Sequence, residues 1–134
     1  VALIERKQGD PATCVKLLRD TKRIDRLIVQ SFDWDFLAAC HRLEPGLALA
    51  ALGDKDLTDT KLDAIARTGS VVVGWDHRRI GRPAIEAIHR RGWKAWVFTV
   101  NEPNRAVQLV TEGADAIITD DPALMWRHLT GGNE

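Results

Sequence analysis

Ala95-Trp96-Val97-Phe98-Thr99-Val100 is a short apolar run, and the pattern that begins at Pro103 and carries Val107, Leu109 and Val110 to Gly113 is helical. Together they make one strand-helix unit, and the chain repeats it. Five further runs of the same kind flank it: Val1 to Ile4, Leu27 to Val29, Leu47 to Leu52, Val71 to Trp75 and Ala116 to Ile118. Their starts lie roughly 20 to 26 residues apart, about the length of a compact strand-helix unit. The runs lack clean polar alternation, which predicts strands covered on both faces, as in a parallel sheet. Leu47 to Leu52 is ambiguous, because alanine is depleted in strands and the run also suits a helix.

The intervening segments carry helix signals. Asp10 before Pro11 predicts a capped start, with Val15, Leu17 and Leu18 on the apolar face. Asp33 is placed to cap a second helix through Phe36, Leu37 and Cys40 that Pro45 closes. Thr58 starts a third through Leu62, Ile65 and Ala66, ending near Gly69. Pro83 opens a fourth with Ile85, Ala87 and Ile88, and Gly92 sits where a left-handed stop is expected. Asp121 before Pro122 starts the last, with Leu124, Met125 and Leu129. Six such units give an α/β protein with right-handed parallel crossovers. An open doubly wound sheet would be complete at 134 residues. A (β/α)₈ barrel needs eight units and about 250 residues, so the chain would supply part of one.

Composition narrows the function classes. Hydrophobic residues make up 45% and charged residues 28%, the profile of a globular protein. Nineteen basic and nineteen acidic side chains cancel, so nucleic acid is not expected as a partner. No apolar run approaches the roughly 20 residues that span a bilayer. Cys14 and Cys40 are too few and too far apart for a zinc site or a CxxC pair, and read as thiols of a reducing compartment or one disulfide. Neither the dinucleotide fingerprint nor the GxxxxGK[ST] loop occurs.

In either architecture function gathers at the carboxyl ends of strands. That selects Glu5 and Lys7, Gln30 and Ser31, Asp76 and His77, Thr99 and Asn101, Thr119 and Asp120. Glu5 and Lys7 are two apart and project from one face of a strand. They suit either a structural ion pair or a metal ligand beside a phosphate-binding ammonium. His77 reads as an acid or base, or as a polar turn residue beside Arg78 and Arg79. His41, His89 and His128 fall in or near helix ends and read as surface residues. Ser31 lacks a GxSxG elbow, so it caps a helix or lines a pocket. Asp120-Asp121-Pro122 is explained by capping alone. Trp96 and Phe98 share a face, and Phe98, nearest the strand end, can wall a pocket.

Several stretches together resemble one family, the glycerophosphodiester phosphodiesterases. Leu3-Ile4-Glu5-Arg6-Lys7 is similar to its Glu-x-Lys strand, and Ser31-Phe32-Asp33 with Leu37 to its Ser-Phe strand end. His89-Arg90-Arg91-Gly92 and Val97-Phe98-Thr99-Val100-Asn101 are similar to its His-x-x-Gly and Trp-Thr-Val-Asn segments. Gly113-Ala114-Asp115-Ala116-Ile117-Ile118-Thr119-Asp120, closing on Pro122, resembles its last strand. The resemblance implies a (β/α)₈ barrel of which residues 1–134 form the carboxyl-terminal part, strands three to eight. The opening Val-Ala-Leu-Ile, which reads like the middle of a strand, is consistent with that. It implies hydrolysis of a glycerophosphodiester to an alcohol and glycerol 3-phosphate, assisted by a divalent cation such as Mg²⁺ or Ca²⁺. By resemblance Glu5 is a metal ligand, Lys7 neutralises phosphoryl charge as the catalytic residue, and Phe98, Ser31 and Asn101 line the substrate site. The family's first two strands carry a His-Arg-Gly motif, a Glu-x-Asp ligand pair and a second catalytic histidine, which have no counterpart here. The chain alone is therefore expected to be inactive or incomplete.

Two departures bear on the site. Arg6 stands where an aliphatic residue should face the helical layer, so its guanidinium needs an exposed or paired setting. Phe98 for tryptophan removes an indole donor but keeps an apolar wall. Six strands leave two edges, which predicts self-association. A non-catalytic α/β module binding a phosphorylated ligand or a protein is the competing reading. A third is another phosphate-binding barrel enzyme, an isomerase or aldolase, with Lys7 as a Schiff-base lysine.

Overall fold

The structure is a computed structural model and describes residues 1–132. Its elements are β1 (Ala2–Glu5), α1 (Pro11–Asp20), a 3-10 turn (Ile24–Arg26), β2 (Leu27–Ser31), α2 (Trp34–Leu43) and β3 (Ala48–Gly53). There follow α3 (Asp59–Ala66), β4 (Val72–Asp76), α4 (Arg82–Arg90), β5 (Lys94–Phe98), α5 (Pro103–Thr111), β6 (Ala116–Ile117) and α6 (Pro122–Thr130).

The caps explain why the helices start where they do. Asp10, Asp33 and Asp121 accept from the backbone N–H groups of Thr13 (2.9 Å), Phe36 (3.0 Å) and Leu124 (2.9 Å). Thr58 does the same for Lys61 at 3.3 Å. Each satisfies an orphan donor of a first turn, and its loss costs about 1 kcal/mol. Helix α2 stops at Leu43 with its C-cap at Glu44, directly before the Pro45 expected to close it. One helix end differs from the sequence expectation: α3 stops at Ala66, short of Gly69. There the Thr68 hydroxyl donates to Ile65 O at 2.7 Å and accepts from Ser70 N at 3.1 Å, turning the chain toward β4.

The ambiguous run Leu47 to Leu52 is a strand. Ala50 and Ala51 are fully buried, so β3 is covered on both faces and packing overrides alanine's helical preference. Strand order decides between the two architectures. It runs β1-β2-β3-β4-β5-β6, in chain order throughout. A doubly wound sheet reverses its order at a switch point, and this one does not. The fold is a partial TIM (β/α)₈ barrel with six β/α units among the described residues.

The described chain divides into two compact units. The first comprises residues 1–52 and 58–72, the second residues 53–57 and those from 73 onward. In the first, β1, β2 and β3 are parallel, with Glu5 opposite Gln30 and Gln30 opposite Ala50. Val15, Val29, Phe36, Leu37, Leu49 and Ile65 form its apolar interior. At β1 the sheet ends, and Leu3 is 40% exposed.

In the second unit β5 and β6 are parallel, with Trp96 opposite Ala116. Trp75, Ile85, Ile88, Val97 and Leu109 are buried. The Trp75 ring lies so close to Gly53 that a Cβ there would stand 2.0 Å from it, while Trp75 Nε1 donates to Lys55 O at 2.6 Å. Only glycine fits at position 53.

Candidate functional site

In the first unit the carboxyl end of β1 carries the sequence-selected pair. Glu5 and Lys7 project from one face, and the Lys7 ammonium forms an ion pair with Glu5 Oε1. The Lys7 side chain is 77% exposed, so its remaining donors face solvent.

Arg6, between them, points the other way and finds the partners its burial requires. Its Nη1 donates to Asp33 Oδ2 at 2.9 Å, and Asp33 uses Oδ1 to cap α2. Nε and Nη2 both donate to Gly9 O, at 3.1 and 2.6 Å, and the guanidinium lies 4.3 Å from the Phe36 ring centroid. Gly9 has φ +104°, a conformation that side chains disfavour, so the turn clamped by Arg6 depends on glycine. The hydrogen bond from Phe36 N, then Arg6, hold the Asp33 carboxyl below its ordinary range. Arg6 thus anchors the loop that carries Lys7.

On β2, Ser31 is 1% exposed. Its hydroxyl lies 3.5 Å from Arg6 O and accepts from Asp33 N at 3.1 Å, so it ties the β1 end to the start of α2. Arg6 N donates to Gln30 O at 3.0 Å, extending the β1–β2 ladder by one residue. The Gln30 side chain is buried, and its Oε1 has no hydrogen-bond partner among the described residues.

In the second unit β4 ends on Asp76, which is 7% exposed. Arg78 grips it in a fork, Nε to Oδ1 at 3.0 Å and Nη2 to Oδ2 at 2.6 Å, and Arg78 N adds a bond of 2.9 Å. These bonds lower the Asp76 carboxyl to about 2. Arg79 pairs with Asp56 at 3.6 Å. His77 N donates to Phe98 O at 2.9 Å, and the Arg105 guanidinium donates to His77 O and to Ile80 O. Burial depresses the His77 imidazole below its usual range, which favours the neutral ring.

Phe98 closes β5, half-buried. Asn101 is engaged at both ends of its amide. Oδ1 accepts from Thr119 Oγ1 and Asp120 N, each at 3.0 Å, and Nδ2 donates to Asp120 Oδ2 at 2.8 Å. The Thr119 hydroxyl also accepts from Asp121 N at 3.2 Å, so one network shapes the turn in which Asp121 caps α6. The other histidines stand apart from these strand ends. His89 and His128 are exposed, as expected, His89 pairing with Asp115 at 2.8 Å. His41 differs: it is half-buried, its ring lying against Gly69.

Five residues selected from sequence therefore fall into two groups. Glu5 and Lys7 are paired at the end of β1 and Ser31, on β2 of the same unit, is bonded to Arg6 O and Asp33 N, whereas Phe98 and Asn101 lie in the second unit. Arg6 and Gln30 were also marked in the sequence, and the structure adds the partners of Arg6 and the unpaired state of the Gln30 oxygen. The signal for Gln30 was present in the sequence, as an amide closing the apolar stretch Leu27-Ile28-Val29.

The chain belongs to the glycerophosphoryl diester phosphodiesterase family, whose model matches residues 4–124. A relative from Bacillus subtilis (strain 168), the uncharacterized protein YqiK, is 33% identical over 115 residues, covering 80% of this chain and 46% of the relative. The fold is also that of a candidate glycerophosphoryl diester phosphodiesterase from Silicibacter pomeroyi DSS-3, with TM-score 0.86 and 25% identity over 96% of this chain and 50% of that one. An Oleispira antarctica phosphodiesterase, solved with its product sn-glycerol-3-phosphate, gives TM-score 0.81 at 20% identity over 90% of this chain and 49% of its own. The chain spans about half the length of these proteins.

The family is generally dependent on a divalent cation. Among the described residues no group of three or more His, Cys, Asp or Glu side chains is arranged to hold one. Glu5, the carboxylate indicated by resemblance, is occupied by the Lys7 ammonium. Mg²⁺ and Ca²⁺ are held by carboxylate oxygens with waters or substrate oxygens completing the shell, and a single carboxylate already paired with an ammonium does not by itself fit such a site.

Proposed function

We propose that this chain supplies the phosphoryl-binding part of a site for glycerophosphodiesters, whose hydrolysis yields an alcohol and glycerol 3-phosphate. In that reaction water adds to phosphorus, the bond from phosphorus to the alcohol oxygen breaks, and the alcohol leaves with a proton. Charge gathers on the non-bridging phosphoryl oxygens as this happens, and a fixed cation stabilises it. Lys7 is placed for that role. The observation that carries the reading is an exposed ammonium at the carboxyl end of a barrel strand, oriented by Glu5 and seated on a loop that Arg6 clamps. Pre-orientation matters because a lysine free to rotate loses side-chain entropy on binding.

The membership of the family and the product held by the Oleispira antarctica protein support a glycerol phosphate as the ligand. Ser31 is proposed to support that site from below, by tying the β1 end to the start of α2. Calorimetric titration of the chain with sn-glycerol 3-phosphate tests the reading. Binding is expected for the unsubstituted protein and a loss of roughly tenfold or more for Lys7→Ala. Equal affinity in the two proteins would overturn it.

A further inference from the structure

We propose that Gln30 is a ligand-contacting residue, its Oε1 accepting a hydrogen bond from a hydroxyl of the glycerol moiety. The inference rests on the phosphodiester reading and adds a specificity residue to it. Gln30 is 9% exposed, and its buried amide oxygen has no partner among the described residues. Buried carbonyl oxygens are almost always paired, since an unmet acceptor forfeits its hydration without return. A leucine or valine would fill the same place in this apolar strand without that cost.

Strand register shows which face of the sheet the side chain occupies. Glu5, Gln30 and Ala50 are partners across β1, β2 and β3, and residues in register share a face of the sheet. Gln30 therefore lies on the face of Glu5 and Lys7, opposite that of Arg6. On its other side Ala50 ends at Cβ, so no longer side chain of β3 stands in register beside the amide. The chemistry of the occupant follows from charge. Glu5 and Lys7 neutralise one another, so a second cation would meet the Lys7 ammonium, whereas a neutral hydroxyl would not. A polyol phosphate matches both groups, with its phosphoryl oxygens toward Lys7 and a hydroxyl toward Gln30.

The test compares sn-glycerol 3-phosphate with inorganic phosphate, which lacks the polyol. Both are titrated into the unsubstituted chain, Gln30→Leu, the length-preserving Gln30→Met and Lys7→Ala, with Ca²⁺ titrated separately. Gln30→Leu and Gln30→Met are expected to weaken glycerol 3-phosphate roughly three- to tenfold, to leave inorganic phosphate unchanged, and to raise the Tm of the ligand-free chain. Lys7→Ala should weaken both anions. An unchanged preference for glycerol 3-phosphate over phosphate in Gln30→Met would show that solvent alone satisfies the oxygen and overturn the inference, leaving the role of Lys7 intact. Weakening of Ca²⁺ in place of glycerol 3-phosphate would overturn it in favour of a cation contact. If the unsubstituted chain binds neither anion, the phosphodiester reading itself falls.

Discussion

The strand ends of β1 and β2 and those of β5 and β6 are both rich in polar side chains, yet they use them differently. At β5 and β6, Asn101, Thr119, Asp120 and Asp121 bond mainly to one another, and the network shapes a turn. At β1 and β2 the side chains separate by face. Arg6, Asp33 and Ser31 on the helix side are tied together, whereas Lys7 remains exposed and Gln30 keeps an unmet acceptor. A polar group whose bonds are all made internally stabilises the fold. One left with spare capacity, on a strand end of a barrel, is placed to meet a ligand.

The largest effect that tests this division belongs to Arg6. Arg6→Ala removes the Asp33 and Gly9 bonds and the contact with Phe36, and should destabilise by about 3 kcal/mol in urea unfolding. A double-substitution cycle with Asp33→Ala should show strong coupling. If Arg6→Ala left stability unchanged, the clamp on the Lys7 loop would be refuted.

Acid titration comes next. The Asp76 carboxyl lies at about 2 in the folded protein against an ordinary value of 3.8. Its depressed value stabilises the fold fully above the ordinary range, and this contribution is lost as the pH falls through 3.8 toward 2 and below. The loss is at most about 2 kcal/mol, reduced because the Arg78 head group is 76% exposed. Asp76→Asn should flatten the acid limb of a stability–pH curve, and an unaltered limb would discount the Arg78 fork.

Asn101→Ala should cost about 1.5 kcal/mol by opening the β6–α6 turn. Were it instead to leave stability untouched and abolish glycerol 3-phosphate binding, the contrast between the two regions would break. The smallest effect on stability is expected for Lys7→Ala, below about 0.5 kcal/mol, since an exposed pair is worth little. A larger loss of stability would make Lys7 structural.

Much of the fold was legible in the chain because its signals are local. Asp10, Asp33, Thr58 and Asp121 cap as their spacing implied, and Gly92 adopts the left-handed φ of 79° expected at a helix stop. Leu47 to Leu52 was undecided because its alanines become strand residues only through burial on both faces. The site was read in part. Glu5 and Lys7 were marked by spacing, and Arg6 was marked as a guanidinium needing a partner. That the partners are Gly9 O and a carboxylate 27 residues away depends on where α2 begins relative to β1. Gln30 was noticed only as one polar residue among several, because sequence does not show whether an amide is paired.

Sequence by itself determined the six strand-helix units, their caps and the family to which the chain belongs. Each rests on periodicity or on short motifs that act within a few residues. The strand-helix pattern alone left a barrel segment and a doubly wound sheet open, the family resemblance pointed to the barrel, and the strand order of the tertiary structure bore that out. Tertiary structure alone decided which polar groups at the strand ends are already satisfied. Strand order and hydrogen-bond satisfaction depend on residues distant in the chain, and only the packed sheet brings those residues together.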